Sequence, residues 1–228
     1  MNEYTKQSDE LKRIYEDCAT RNDVELYGLY STCERAFAEY WALMVQAVAC
    51  KDEEQRTELI IRRLSCRDVV IVFAHLFLEA VIYDFGAVNT SDSYIAKYVD
   101  KLDFLAKWVV VPRLVTGNGF PTDSHAYQLL GKLKRARNAL IHFKTKQCSQ
   151  GDFLEGVSGM IDATIDVSGC FECMGEVLVE LAKLGQDRWL LFQWGFVKTL
   201  MEKQHKRIEE DAVQRIREAI GVNTQSAP

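Results

Sequence analysis

The stretch SCRDVVIVFAHLFLEAVIYDFGA, residues 65–87, does most to limit what this chain can fold into. Its valines and isoleucines suit a strand, but it runs more than fifteen residues without a turn signal, and that length decides for a helix. Apolar residues lie nearly all round it. A helix of this kind exposes too much apolar surface unless other helices cover it on every side. The expectation is therefore an all-α bundle with this segment at its centre. Ser65 is the expected N-cap, and Gly86 with NTSDS the expected end. The apolar run Val69 to Phe85 carries His75, Glu79 and Asp84, so it reads as too short and too charged for a membrane span.

The rest of the chain follows the helical period. Residues 7–19 place Leu11, Ile14, Tyr15 and Cys18 on one side. A longer stripe through Leu26, Tyr30, Cys33, Phe37, Tyr40, Trp41, Met44 and Val48 marks a helix from Val24 to Ala49. Asp52 is a plausible cap for the next segment. Asp92 opens a helix that Pro112 is expected to stop. VTGNGFPTD reads as a loop, after which Asp123 or Ser124 caps a helix over 125–144. Residues 147–170 are the least periodic and leave room for a short strand pair or an excursion loop. Helices follow over 170–184 and 187–220. The sum is one all-α domain, 1–228, of seven or eight helices.

Composition narrows the class of function. A net charge of -5 excludes a general nucleic-acid-binding coat but leaves room for a local basic site. Seven cysteines form an odd, scattered set, and the N-terminus has no apolar leader, so a reducing cytoplasm and free thiols are expected. CFEC, residues 170–173, is a lone pair of cysteines without two further ligands, and it reads as helix-packing thiols rather than a zinc or redox site. Trp189, Phe192, Trp194 and Phe196 could stack bases, but their helical spacing points to core or to a dimer face. No phosphate-loop, nucleophile-elbow or zinc-protease motif occurs, and no cofactor or metal is called for.

Against this background KLKRARNALIHFKTK, residues 132–146, is unusual. Lys132, Lys134, Arg135, Arg137, Lys144 and Lys146 surround His142 with no acidic residue between them. On a helix, Asn138 and Arg135 share a face with His142, whereas Arg137 lies about 140° away, on the apolar flank beside Leu133, Leu140 and Ile141. Such a patch is suited to phosphate, or it is a solvated basic face with one histidine. Glu79 lies four residues after His75 in the most apolar helix. It could pair with Arg135 or Arg137 behind a site, or form an internal structural pair with His75 or an arginine.

RNALIH, residues 137–142, resembles the Arg-x(4–6)-His signature of HEPN domains, and RARNALIHFK resembles an Arg-Asn-x-Leu-x-His-x-Lys variant found in bacterial HEPN-like proteins. LDFLAKWVVVPRLVTGNGF and FLEAVIYDFGA are similar to segments of that same group. The likeness covers residues 65–146, and residues 1–60 would be a family-specific extension. It implies an all-α, metal-independent endoribonuclease acting in the cytoplasm as a toxin or phage-defence effector. It further implies a homodimer that joins two motif helices in one composite site, with RNA as substrate and an antitoxin or other regulatory protein as possible partner. In that reading His142 is the acid/base, Arg137 stabilises the phosphate and Asn138 orients one of them. Arg135, Lys134, Lys144, Lys132 and Lys146 hold the RNA backbone. Arg135 satisfies the spacing too: the helix face it shares with His142 favours Arg135, and the polar residue that follows Arg137 favours Arg137. The other class of function is a non-catalytic interaction module or an RNA- or nucleotide-binding scaffold.

Overall fold

The computed structural model describes residues 23–141, 164–184 and 203–221. Over these residues it is an all-α bundle of seven helices with no strand. In chain order they are α1 (Asp23–Ala49), α2 (Glu53–Asn89), α3 (Asp92–Tyr94), α4 (Phe104–Thr116), α5 (His125–Ile141), α6 (Val167–Ala182) and α7 (Gln204–Ala219). A π-helical turn, Ile95–Val99, continues α3.

Three residues join α1 to α2, too few for anything but a tight reversal. Arg62 pairs with Glu39 at 3.4 Å, and the Cys33 thiol reaches the Val70 carbonyl at 3.6 Å. The residue numbers rise on one helix as they fall on the other, so α1 and α2 are antiparallel. α2 occupies the centre, as the sequence predicts. Its C-terminal half buries Val70, Ile71, Phe77, Leu78, Val81, Ile82 and Phe85 completely. Each such side chain contributes roughly 1.5–3 kcal/mol of hydrophobic stabilisation. Phe37 of α1 meets Phe171 of α6 at 4.8 Å, and Tyr30 meets Phe77 at 5.7 Å, which ties α1, α2 and α6 together. α5 packs on α6, with Leu129, Leu130 and Leu133 in the shared core, while α7 packs mainly on α1.

Several boundaries differ from the sequence expectation. Ser65 does not cap α2. Its hydroxyl bonds the Ile61 carbonyl in mid-helix, and the helix starts twelve residues earlier, where Asp52 accepts from the Gln55 amide at 2.8 Å. The apolar run is thus part of a 37-residue helix, which is long and apolar enough to cross a membrane; 56% of its most apolar window is buried inside this bundle. Gly86 does not end it either. A Cβ there would lie 2.8 Å from Ile95 Cδ1, so the glycine is there for close approach, and the helix runs on to Asn89. The helix expected from Asp92 onward is broken over 100–103, because Asp103 turns out of it to cap α4, accepting from the Leu105 amide at 3.1 Å. Pro112 is inside α4 and buried; the helix ends only at Gly117, whose φ of 77° is left-handed. Ser124, not Asp123, caps α5, accepting from the Tyr127 amide at 3.2 Å. α6 begins at Val167, three residues early, under the Asp166 cap. The expected helix over 7–19, the strand or loop over 147–163 and residues 187–202 lie outside the described residues; residues 164–170 hold a turn and the start of α6, without a strand.

Candidate functional site

α5 is amphipathic. Its apolar side, Leu129, Leu130, Leu133 and Ala136, is buried. Flanking that side, at spacings of three and four, stand Lys134, Arg137 and Asn138. They face the cleft that α5 makes with α2 and α4. It has a volume of about 280 Å³ and is lined by His75 and Glu79 of α2, Asp103 and Phe104 of α4, and Lys134, Arg137 and Asn138 of α5. The tertiary fold therefore gathers Arg137, Asn138, Lys134 and Glu79, four of the residues singled out in sequence, into one place. Lys132 and Arg135 are exposed and do not line it. Arg135, one of the two arginines that satisfy the spacing, is thus set apart from the cleft, and Arg137 lines it. His142, Lys144 and Lys146 lie outside the described residues, as do Trp189, Phe192, Trp194 and Phe196.

The cations of the cleft differ in what they hold. Lys134 donates to Asp103 Oδ2 at 2.6 Å, and that bond keeps the Asp103 carboxyl below its usual range. Lys107, buried in α4, donates from Nζ to Glu79 Oε1 at 2.8 Å and to Asp100 Oδ1 at 3.2 Å. Burial works against its charge, yet the two carboxylates outweigh it and raise its pKa. Glu79 is thus paired with Lys107; of the partners the sequence left open for it, His75 stands 3.8 Å away, and neither Arg135 nor Arg137 pairs with it among the described residues. Arg137 differs from both lysines. Its Nη1 donates to Asn138 Oδ1 at 3.1 Å, and among the described residues no carboxylate pairs with it. Asn138 thereby fixes the guanidinium instead of neutralising it.

His75 is the cleft's least expected member. It is 3% exposed, its ring stacks on Phe104 at 4.0 Å, and its buried Nδ1 has no hydrogen-bond partner. The nearest carboxylate oxygen, Glu79 Oε2, is 3.8 Å away. Burial depresses its pKa to about 4; Glu79 opposes that, and Arg137, Lys134 and Lys107 add to it. The imidazole is therefore neutral at neutral pH. Sequence reading took His75 only as a neighbour of Glu79 and did not place Lys107 or Asp103. The available signal was a lysine set among the apolar positions of α4 beside Phe104, Trp108 and Val111, which a buried ion pair explains.

Among the described residues no group of histidines, cysteines and carboxylates could hold a metal ion. Cys170 and Cys173 of α6 are fully buried free thiols, and burial pushes both far above the ordinary thiol range, consistent with packing. The chain matches no protein-family model, no curated protein and no solved structure, so its functional reading rests on the residues themselves.

Proposed function

We propose that this protein is a HEPN-like, metal-independent endoribonuclease that holds the scissile phosphate of RNA in the cleft against Arg137. The observation that carries this reading is the division of the cleft's charges. Lys134, and Lys107 behind the lining, are committed to carboxylates, while Arg137 is held by a neutral amide and, among the described residues, stays available for an anion. A guanidinium can grip two phosphoryl oxygens at once and strengthens its hold as charge builds on them.

RNA supplies its own nucleophile. The 2′-OH attacks the adjacent phosphorus, the bond to the 5′-oxygen breaks, and the products are a 2′,3′-cyclic phosphate and a 5′-OH. One proton must leave the 2′-oxygen and one must reach the 5′-oxygen. His142, four residues after Asn138 in the sequence, is the proposed carrier, since an imidazole titrates near neutrality. Arg135 and Lys132, exposed on α5, together with Lys144 and Lys146, are proposed to meet flanking phosphates. A second copy of the chain is the proposed partner that completes the site.

The test is incubation of the protein with mixed RNA in EDTA, beside Arg137→Ala and His142→Ala. Cleavage by the wild type that leaves cyclic phosphate ends, with each variant slower by about 10²–10³, is the expected result. RNA bound but never cut by the folded wild type would replace the enzyme with a binding module. Equal cleavage by all three would remove both residues from the site.

A further inference from the structure

His75 has no part in the reaction just described, yet it is buried in the wall of the same cleft with an unpartnered nitrogen. Buried polar atoms are nearly always satisfied, and an exception in a native structure needs a reason. The groups that face His75 are Glu79 from its own helix, Asp103, Phe104 and Lys107 from α4, and Lys134 and Arg137 from α5. Phe104 fixes the plane of the ring, and Lys107 fixes Glu79 3.8 Å from Nδ1. With the cleft empty, three cations and the loss of water oppose a charge on the imidazole, and one carboxylate favours it.

A phosphodiester changes that balance. It brings one negative charge into a space where Arg137 is, among the described residues, the cation without a carboxylate, and it cancels part of the repulsion that Arg137 exerts on His75. We propose that the cleft is a proton-coupled phosphate site, in which His75 takes a proton from solvent as the phosphodiester enters beside Arg137. The proposal rests on the phosphate-binding part of the reading above. The free imidazole nitrogen gains an N–H bond as an O–H bond of hydronium breaks and leaves water, and in the doubly protonated ring Nδ1–H faces Glu79 Oε2. Linkage is reciprocal, so a ligand that raises the proton affinity of His75 binds more tightly as pH falls.

The probe is a 2′-O-methyl oligouridine, which cannot be cleaved and whose phosphodiesters and bases do not titrate in the working range. Its affinity is measured by calorimetry from pH 8 to pH 5 for the wild-type protein, His75→Gln and Arg137→Ala. Imidazole NMR signals are followed in the free and saturated wild type, which needs no variant to fold. The expected result is a gain of roughly tenfold in affinity between pH 7 and pH 5, a His75 signal that moves to the imidazolium position on saturation at pH 5, a clearly shallower slope for His75→Gln and weak binding throughout for Arg137→Ala. The proposal is overturned by a His75 ring that stays neutral in the saturated complex at pH 5, or by an unchanged slope in a folded His75→Gln protein. It is equally overturned if Arg137→Ala binds as tightly as wild type, or if the wild type does not bind. Failure of the ribonuclease reading looks different: proton-linked binding with no cleavage of ordinary RNA.

Discussion

Lys107 shows what a single side chain does for this cleft. It is buried in α4, and its ammonium bridges Glu79 of α2 and Asp100 of the turn before α4. Removing one partner of a buried ion pair leaves the other charge uncompensated, which costs more than the pair contributes when intact. Glu79 and Asp100 both retain some exposure, so water relieves part of that cost. Lys107→Ala is expected to lose about 2 kcal/mol of unfolding free energy. Glu79→Gln should lose less than about 1 kcal/mol, because Lys107 keeps Asp100 and the amide oxygen still accepts. Urea unfolding of the two variants measures the contrast; equal losses would show that the charge pair with Glu79 carries the whole contribution of Lys107 and that Asp100 does not compensate for it.

At the scale of elements, the junction of α2 with the π turn decides where the cleft's third wall stands. A Cβ on Gly86 would come within 2.8 Å of Ile95 Cδ1 and 3.0 Å of Val111 Cγ1, both fully buried. Gly86→Ala gains about 1 kcal/mol of helix propensity but overpacks this contact at a cost of about 1–3 kcal/mol. The net expectation is a lower melting temperature. Ile95→Val removes the Cδ1 methyl group, so the double variant should be more stable than the sum of the two single changes. Strict additivity in thermal unfolding would show that the backbone, not Ile95, absorbs the added methyl. The same junction explains why the sequence misread this region. Gly86 looks like a helix stop, yet it is a contact point, and Asp100 and Asp103 break the following helix where the apolar period runs on unbroken.

Across the whole molecule, two buried histidines in different parts of the bundle share one behaviour. His75 stacks on Phe104, and His205 of α7 stacks on Phe171 at 5.3 Å. Burial lowers both to about 4 from an ordinary value of 6.5, with Lys206 and Lys203 adding to the effect at His205. The sign follows directly. Between pH 6.5 and 4 the unfolded chain protonates these rings and the folded protein does not, so stability is full above about pH 6.5 and falls as pH drops towards 4. The full effect is on the order of 3 kcal/mol for each ring. Urea midpoints at pH 7 and pH 5 should show the fall, and His205→Phe, which keeps the aromatic contact, should reduce it. An unchanged slope in that variant would mean that the acid sensitivity arises elsewhere.

The sequence by itself determined the fold class and half of the candidate site. A run too long for a strand and apolar on every side reads as a helix that other helices must cover, and the charges clustered on α5 are a property of linear spacing. Spacing left Arg135 and Arg137 both open, but it put Arg137 on the apolar flank, where a guanidinium has to meet another element. What it met only the tertiary structure decided. His75, Lys107 and Asp103 are 62, 30 and 34 residues from Arg137, and no local pattern links them. The partner of Glu79 and the available state of Arg137 depend on which helix packs against which, because charges pair through space rather than along the chain.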